Sequence, residues 1–167
     1  MGPGGSHAAM GTHNRLMGLG DIYLEAIAPE PGTAPGRARW FDLDRAGPPR
    51  LSAWVVRVED LETALEVHSW AGEAVALSRG PLRWRMAVPE DGRATFDGLA
   101  PALIAWETAP PVLPDSGLRL DGLTLSHPRA DTLRATLAPF GLDITVTEGA
   151  PAMVATLSDG ARTCRLT

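Results

Sequence analysis

The stretch "LSAWVVRVEDLETALEVHSWAGE" spans residues 51–73 and joins two different hydrophobic patterns. Its first part, 51–58, is rich in β-branched and aromatic side chains, which is typical of a strand. Apolar residues then recur at helical spacing, between Asp60 as a candidate N-cap and Gly72 as a candidate stop signal. The stretch therefore predicts a strand followed by a helix over 59–73.

The same order returns in "LDGLTLSHPRADTLRATLAPFGL", residues 120–142, which predicts a strand over 118–128 and a helix over 129–141. Three short strand-like segments follow each helix, so the chain repeats a strand–helix–strand–strand–strand unit. Each unit is too small to bury a sufficient core alone, and the two are predicted to pack together. The predicted units cover 51–108 and 117–167.

The first 50 residues are predicted to form a hairpin and a connector, equivalent to a partial module. Alternating apolar residues predict strands over 12–17 and 21–28, joined by a turn at Gly18–Asp21. The connector is rich in Pro and Gly, and Trp40 and Phe41 are predicted to anchor it on the body. The Gly-rich start lacks the pattern of a signal peptide and is predicted to be loose unless something docks on it.

Composition excludes some classes of function. The chain has 167 residues, a net charge of -5 and no Lys, so it offers neither the basic face of a nucleic-acid-binding protein nor a Schiff-base lysine. A single cysteine, Cys164, cannot form an internal disulfide and fits a reducing cytoplasm. No apolar run is long enough to span a membrane. We therefore expect a cytoplasmic protein without nucleic-acid or membrane partners.

Five segments carry a family resemblance: "GGSHAAMGTHNRLMGLGDIYLEAIAPEP", "RARWFDLD", "LSAWVVRVEDLETAL", "LRWRMAVP" and "PALIAWE". Together they resemble the glyoxalase-like group of bacterial proteins in the vicinal-oxygen-chelate superfamily. That superfamily includes glyoxalase I, extradiol dioxygenases and the fosfomycin and bleomycin resistance proteins. The resemblance implies one glyoxalase-like domain of α+β class, in which paired βαβββ modules form curved mixed sheets around a cupped pocket. It also implies an opening strand and helix that are not in this sequence. Either the start is misassigned, or the element is lost, or a second chain supplies the packing, and an exposed sheet edge would favour a homodimer.

The resemblance further implies a divalent metal in the cup, held by a His early in a module and a Glu or His in its last strand. Ala53 and Gly122 occupy the expected His positions, and neither binds a metal through its side chain. Glu25 lies where a carboxylate ligand is expected, and His13 and His7 are the remaining candidates. These three side chains could bind one Zn, Ni, Mn or Fe ion only if the Gly-rich start folds over the pocket, and otherwise no metal is expected.

An alternative assigns the hairpin no chemistry. In this interpretation His13 and Asn14 hydrogen-bond within the hairpin, and Glu25 pairs with an Arg. His127 is not a candidate ligand, because it lies five residues after Gly122 and strand alternation turns it toward the helix.

Strand alternation predicts a mainly apolar pocket that contains one guanidinium and one carboxylate. Such a pocket suits a small, partly apolar ligand with a carbonyl or anionic group. Arg57 is the predicted forked donor, and the alternative for it is a salt bridge to Glu25 or Glu59. The predicted substrate contacts are Arg57, Tyr23, Asn14 and Thr124.

These features support two functions. The first is a glyoxalase-like enzyme, metal-dependent or not, in which Glu25 is a ligand or base and His13 is a ligand or orienting group. The second is a non-catalytic protein that sequesters a small molecule, as resistance proteins of the superfamily do. The absent strand-start histidines favour binding, whereas the His13–Glu25 pair favours catalysis. A third interpretation is a degenerate remnant with no present activity.

Overall fold

The computed structural model describes residues 2, 4–45 and 47–167, and these form the mixed α+β architecture predicted from the sequence. The described residues contain two α-helices and three open sheets. No helix among them is long and apolar enough to cross a membrane. The strands and helices in chain order are β1 (Gly4–His7), β2 (Thr12–Gly18), β3 (Tyr23–Pro29), β4 (Val55–Arg57), α1 (Leu61–Val67), β5 (Glu73–Arg79), β6 (Leu82–Val88), β7 (Ala102–Trp106), β8 (Arg119–Ser126), α2 (Ala130–Leu137), β9 (Thr145–Thr147), β10 (Ala152–Ser158) and β11 (Thr163–Leu166).

The N-terminal sheet contains the predicted hairpin and one further strand. β2 and β3 pair antiparallel, and the amide of Leu19 closes the turn by donating to the Ile22 carbonyl at 2.8 Å. Within the Gly-rich start, Gly4–His7 are not loose, because they form β1 and pair antiparallel with β2. A side chain at Gly5 would lie 2.6 Å from Cδ of Arg79, so glycine lets β1 lie close to β5.

The middle sheet has the order β4-β7-β6-β5 and carries α1 on one face. The side chain of Asp60 caps α1 by accepting from the Thr63 amide at 2.7 Å. The helix is shorter than predicted because His68 leaves helical geometry, and a 3-10 turn at Ser69–Ala71 completes the segment. β4 is also shorter than the predicted strand over 51–58.

The C-terminal sheet repeats the element order of the middle sheet but not its strand order. In the middle sheet the first strand, β4, lies beside the last strand, β7. In the C-terminal sheet the order is β11-β10-β8-β9, so the first strand lies between the second and the third. The two sheets are therefore connected differently, although each follows a strand–helix–strand–strand–strand order along the chain.

Three apolar clusters hold these layers together. One lies between the middle sheet and the connector, where Trp40 is 4% exposed and packs near Trp84, as its predicted anchoring role requires. A second lies under α1 around the fully buried Leu103, and a third lies under α2 around Leu125. Phe140 packs against both helix clusters and so joins the two halves of the chain.

Candidate functional site

A cluster of polar side chains lies on one face of the N-terminal sheet, next to β5. The pairing of β1 with β2 places His7 opposite Thr12, and the pairing of β2 with β3 places Leu16 opposite Glu25. Because alternate residues of a strand share a face, His7, Thr12, Asn14 and Glu25 point to the same side of the sheet. Arg79, the last residue of β5, reaches this cluster from the middle sheet.

Asn14 lies at the centre of the cluster and is buried. Its Oδ1 accepts from the Gly5 amide at 3.1 Å and from the Arg79 guanidinium at 2.6 Å. Its Nδ2 donates to Oε1 of Glu25 at 2.7 Å and lies 3.4 Å from Nε2 of His7. We call His7, Thr12, Asn14, Glu25 and Arg79 the Asn14 network.

His7 is 4% exposed and is enclosed by aromatic rings. The rings of Trp40 and Trp84 meet it edge-on, at centroid distances of 5.1 Å and 5.9 Å. Burial, followed by the charges of Arg79 and His13, lowers the pKa of His7 to about 4. The imidazole is therefore neutral at pH 7. Its Nδ1 lies 3.1 Å from Oγ1 of Thr12, which also accepts from the Trp40 indole at 3.2 Å.

Glu25 is half-buried and supplies the carboxyl group of the network. Burial raises the pKa of its carboxyl, and the Asn14 hydrogen bond and the Arg79 charge oppose that rise. Its Oε1 is held by Asn14, whereas its Oε2 has no hydrogen-bond partner in the part of the chain that the structure describes. Glu25 thus presents one fixed and one free oxygen, in surroundings that favour proton uptake.

Tyr23 lies two residues before Glu25 on the same face of β3, at 36% exposure. Burial and the nearby Glu25 charge raise the pKa of its phenol to about 12. Tyr23 is therefore neutral at pH 7, and its hydroxyl can donate or accept a hydrogen bond but cannot act as a phenolate.

His13 does not reach Glu25. It pairs with Ala28 across β2 and β3, so its side chain lies on the opposite face of the sheet from Glu25. There its Nδ1 lies 3.6 Å from Oε2 of Glu30, which also accepts from Ser6 at 2.8 Å. The close His13–Glu25 pair expected from the hairpin is therefore not formed.

The predicted metal ligands also do not fit a divalent ion. His7 and Glu25 share a face, but the Asn14 amide nitrogen lies between them and presents hydrogens rather than a lone pair. His13 lies on the other face. Across residues 2, 4–45 and 47–167, no three His, Cys, Asp or Glu side chains are grouped to hold a metal ion.

The other predicted contacts lie outside the Asn14 network. Arg57 is exposed on the face of β4 opposite Val56, which packs in the cluster under α1. Neither predicted salt bridge of Arg57 forms among the residues that the structure describes. Thr124 is half-exposed on the C-terminal sheet, on the face away from Leu125 and α2.

Sequence reasoning missed Arg79 as a site residue. Arg79 precedes a turn glycine in "LSRGP", where an arginine is ordinary. It enters the network because β1 lies beside β5, and β1 was not predicted to be a strand. If "GGSH" had been predicted to be an edge strand, the contact between β1 and β5 could have been expected.

We expect acidification to destabilise the fold through His7. Its pKa is about 4 in the folded protein, against an ordinary value of 6.5. Between these values the unfolded chain binds the additional proton, so the free energy of unfolding falls as the pH drops. A pKa difference of this size corresponds to a loss on the order of 3 kcal/mol at the acid end.

Glu25 acts in the opposite direction, because its raised pKa makes the folded state hold a proton to higher pH. The contribution of His7 is therefore isolated by comparing urea unfolding of wild type and His7→Gln near pH 7 and near pH 4. Wild type is expected to lose more stability on acidification than the variant. Equal losses in both proteins would contradict the depressed pKa of His7.

The model of a family described as a glyoxalase-like domain matches residues 1–141, a span that includes the whole Asn14 network. No curated protein and no solved structure matches the chain.

Proposed function

Because the chain belongs to the glyoxalase-like domain family, we propose that it is an enzyme that moves a proton on a small carbonyl or carboxylate compound. The family suggests an enzyme or a binding protein for small molecules. Glu25 is the proposed base that takes a proton from the carbon next to the carbonyl group. The same residue returns the proton to that carbon or, in an α-hydroxycarbonyl compound, to the former carbonyl carbon once the hydroxyl proton has moved to the carbonyl oxygen.

The observation that carries this proposal is the environment of the Glu25 carboxyl, which is half-buried and hydrogen-bonded through one oxygen. General bases work best when their pKa is raised toward the working pH, and burial raises the pKa of this carboxyl. The Asn14 hydrogen bond fixes the orientation of the carboxyl, and Oε2 has no partner among the described residues. A fixed, half-buried carboxylate with a free oxygen is suited to proton transfer.

Arg79 is the proposed stabiliser of the negative charge that forms on the substrate oxygen. One of its nitrogens donates to Asn14, and its other donors form no hydrogen bond in the part of the chain described by the structure. Guanidinium donors of this kind stabilise an enolate or bind a carboxylate. Tyr23 would add a neutral hydroxyl, and Arg57 and Thr124 remain proposed contacts for the far end of a ligand.

A non-catalytic binding protein is the second candidate. Ala53 and Gly122 occupy positions where the superfamily places metal-binding histidines. The residues present do not fit a divalent ion, so we assign no step to a metal. The polar network and the charge of Arg79 would then bind a small anionic or carbonyl compound without changing it.

The remaining proposed partner is a second copy of the chain. β3 and β11 each end their sheet, and strands of this kind leave backbone groups open to pairing. The exposed free thiol of Cys164 supports a reducing, cytoplasmic location.

Proton exchange in D₂O tests the catalytic proposal. The wild-type protein is incubated with hydroxyacetone or pyruvate, and loss of the carbon-bound proton is followed by NMR after chelation and after addition of Zn, Ni, Mn or Fe. We expect exchange above the buffer rate, rising with pH as Glu25 ionises. Saturable binding without exchange would favour the binding protein. Neither exchange nor binding would contradict both candidates for these ligand classes.

A further inference from the structure

Asn14 was predicted to contact substrate, but its amide has no capacity left for a ligand. A carboxamide oxygen accepts two hydrogen bonds and its nitrogen donates two. In this structure Oδ1 accepts from Gly5 and Arg79, and Nδ2 faces Glu25 and His7. All hydrogen-bonding groups of this buried side chain therefore face partners within the protein.

The donors around Asn14 also fix which way its amide points. The Gly5 backbone N–H and the Arg79 guanidinium can only donate, so the atom they share is the oxygen. The nitrogen must therefore face Oε1 of Glu25 and Nε2 of His7.

This orientation determines the proton position on His7. Because Nδ2 of Asn14 presents a hydrogen, the facing Nε2 of His7 must accept, and a neutral imidazole then carries its proton on Nδ1. That proton points at Oγ1 of Thr12, 3.1 Å away. The Trp40 indole donates to the same oxygen and keeps Thr12 in place as an acceptor.

We infer that Asn14 is a positioning residue that locks His7 in the Nδ1–H tautomer and holds Glu25 by Oε1, so that Oε2 is its only free oxygen. The tautomer follows from the hydrogen-bond geometry alone, whereas the consequence for catalysis rests on the proposed function. With this tautomer, Thr12 accepts from both Trp40 and His7, and Asn14 donates to both His7 and Glu25.

Two-bond ¹⁵N–¹H correlation spectra of the histidine rings test the tautomer in the full-length wild-type protein near pH 7. We expect His7 to show a pyrrole-type Nδ1 and a pyridine-type Nε2. His127 is an internal reference of opposite type, because its Nδ1 accepts from the Arg129 amide at 3.0 Å and its proton is therefore on Nε2. A wild-type His7 with its proton on Nε2 would overturn the inference.

Asn14→Asp tests whether Asn14 determines the tautomer of His7. A carboxylate at position 14 still accepts from Gly5 and Arg79 but presents an acceptor to His7, so the proton should move to Nε2. The Thr12 hydroxyl can then rotate and donate to Nδ1. His127 should keep its wild-type pattern. An unchanged His7 tautomer in a folded Asn14→Asp protein would show that Asn14 does not set it.

Proton-exchange rates of wild type and Asn14→Asp separate this inference from the proposed function. In Asn14→Asp, Oε1 of Glu25 faces another carboxylate, and two adjacent carboxylates favour sharing one proton. The pH profile of exchange should therefore shift to higher pH. A changed tautomer with no exchange in either protein would support the positioning role and contradict the proposed catalysis. A changed tautomer with an unshifted profile would restrict the role of Asn14 to His7. If Asn14→Asp does not fold, the wild-type spectrum still decides the tautomer.

Discussion

Glu25→Gln is expected to lower the exchange rate by about 100-fold or more, because general-base catalysis contributes on the order of 10²–10⁴. Gln has the size of Glu but cannot take the proton. The carbonyl oxygen of its amide can still accept from Nδ2 of Asn14, so the network keeps its central hydrogen bond. Rates are measured by NMR in D₂O with hydroxyacetone and pyruvate, at several pH values.

The matched control is Glu73→Gln, which makes the same change at an exposed position on β5, outside the network. The control should retain the wild-type rate. We also expect Glu25→Gln to be at least as stable as wild type, because it removes a carboxyl whose ionisation burial disfavours. Wild-type exchange in a folded Glu25→Gln protein would exclude Glu25 as the base.

The elements that could be predicted from the sequence depend on local signals. The β2–β3 hairpin follows from alternating apolar residues around a turn, and α1 follows from helical spacing after a capping Asp60. Residue pairing across the hairpin is not local, because a shift of one residue moves every side chain to the other face. The sequence therefore places His13 near Glu25 only on condition of a suitable register, and the register that forms brings Asn14 to Glu25 instead.

Contacts between distant segments could not be predicted from the sequence either, because they are not determined by local signals. Arg79 joins the network only because β1 lies beside β5, and a Gly-rich segment gives little strand signal in the sequence. The different strand order of the C-terminal sheet could not be predicted either. The pattern of β8 to β11 repeats that of β4 to β7, but strand pairing depends on how each connection crosses the sheet.

Asn14→Leu is expected to destabilise the protein by about 4 kcal/mol, which is the second large effect. Leu has nearly the shape of Asn but leaves Gly5, Arg79 and Glu25 without their partner. A buried polar group that loses its partner costs about 1–3 kcal/mol, and more when the group is charged. Urea denaturation near pH 7 measures the change in the free energy of unfolding.

Arg15→Leu is the matched control for that substitution, because Arg15 is the next residue of β2 and is exposed on the opposite face. Both variants add the same side chain to the same strand, so they share any effect of β propensity. The control should stay within about 0.5 kcal/mol of wild type, as surface changes usually do. If Asn14→Leu loses no more free energy of unfolding than the control, water must be forming the hydrogen bonds that Asn14 forms in wild type. The difference between the two variants therefore measures how much the fold depends on the network that positions Glu25.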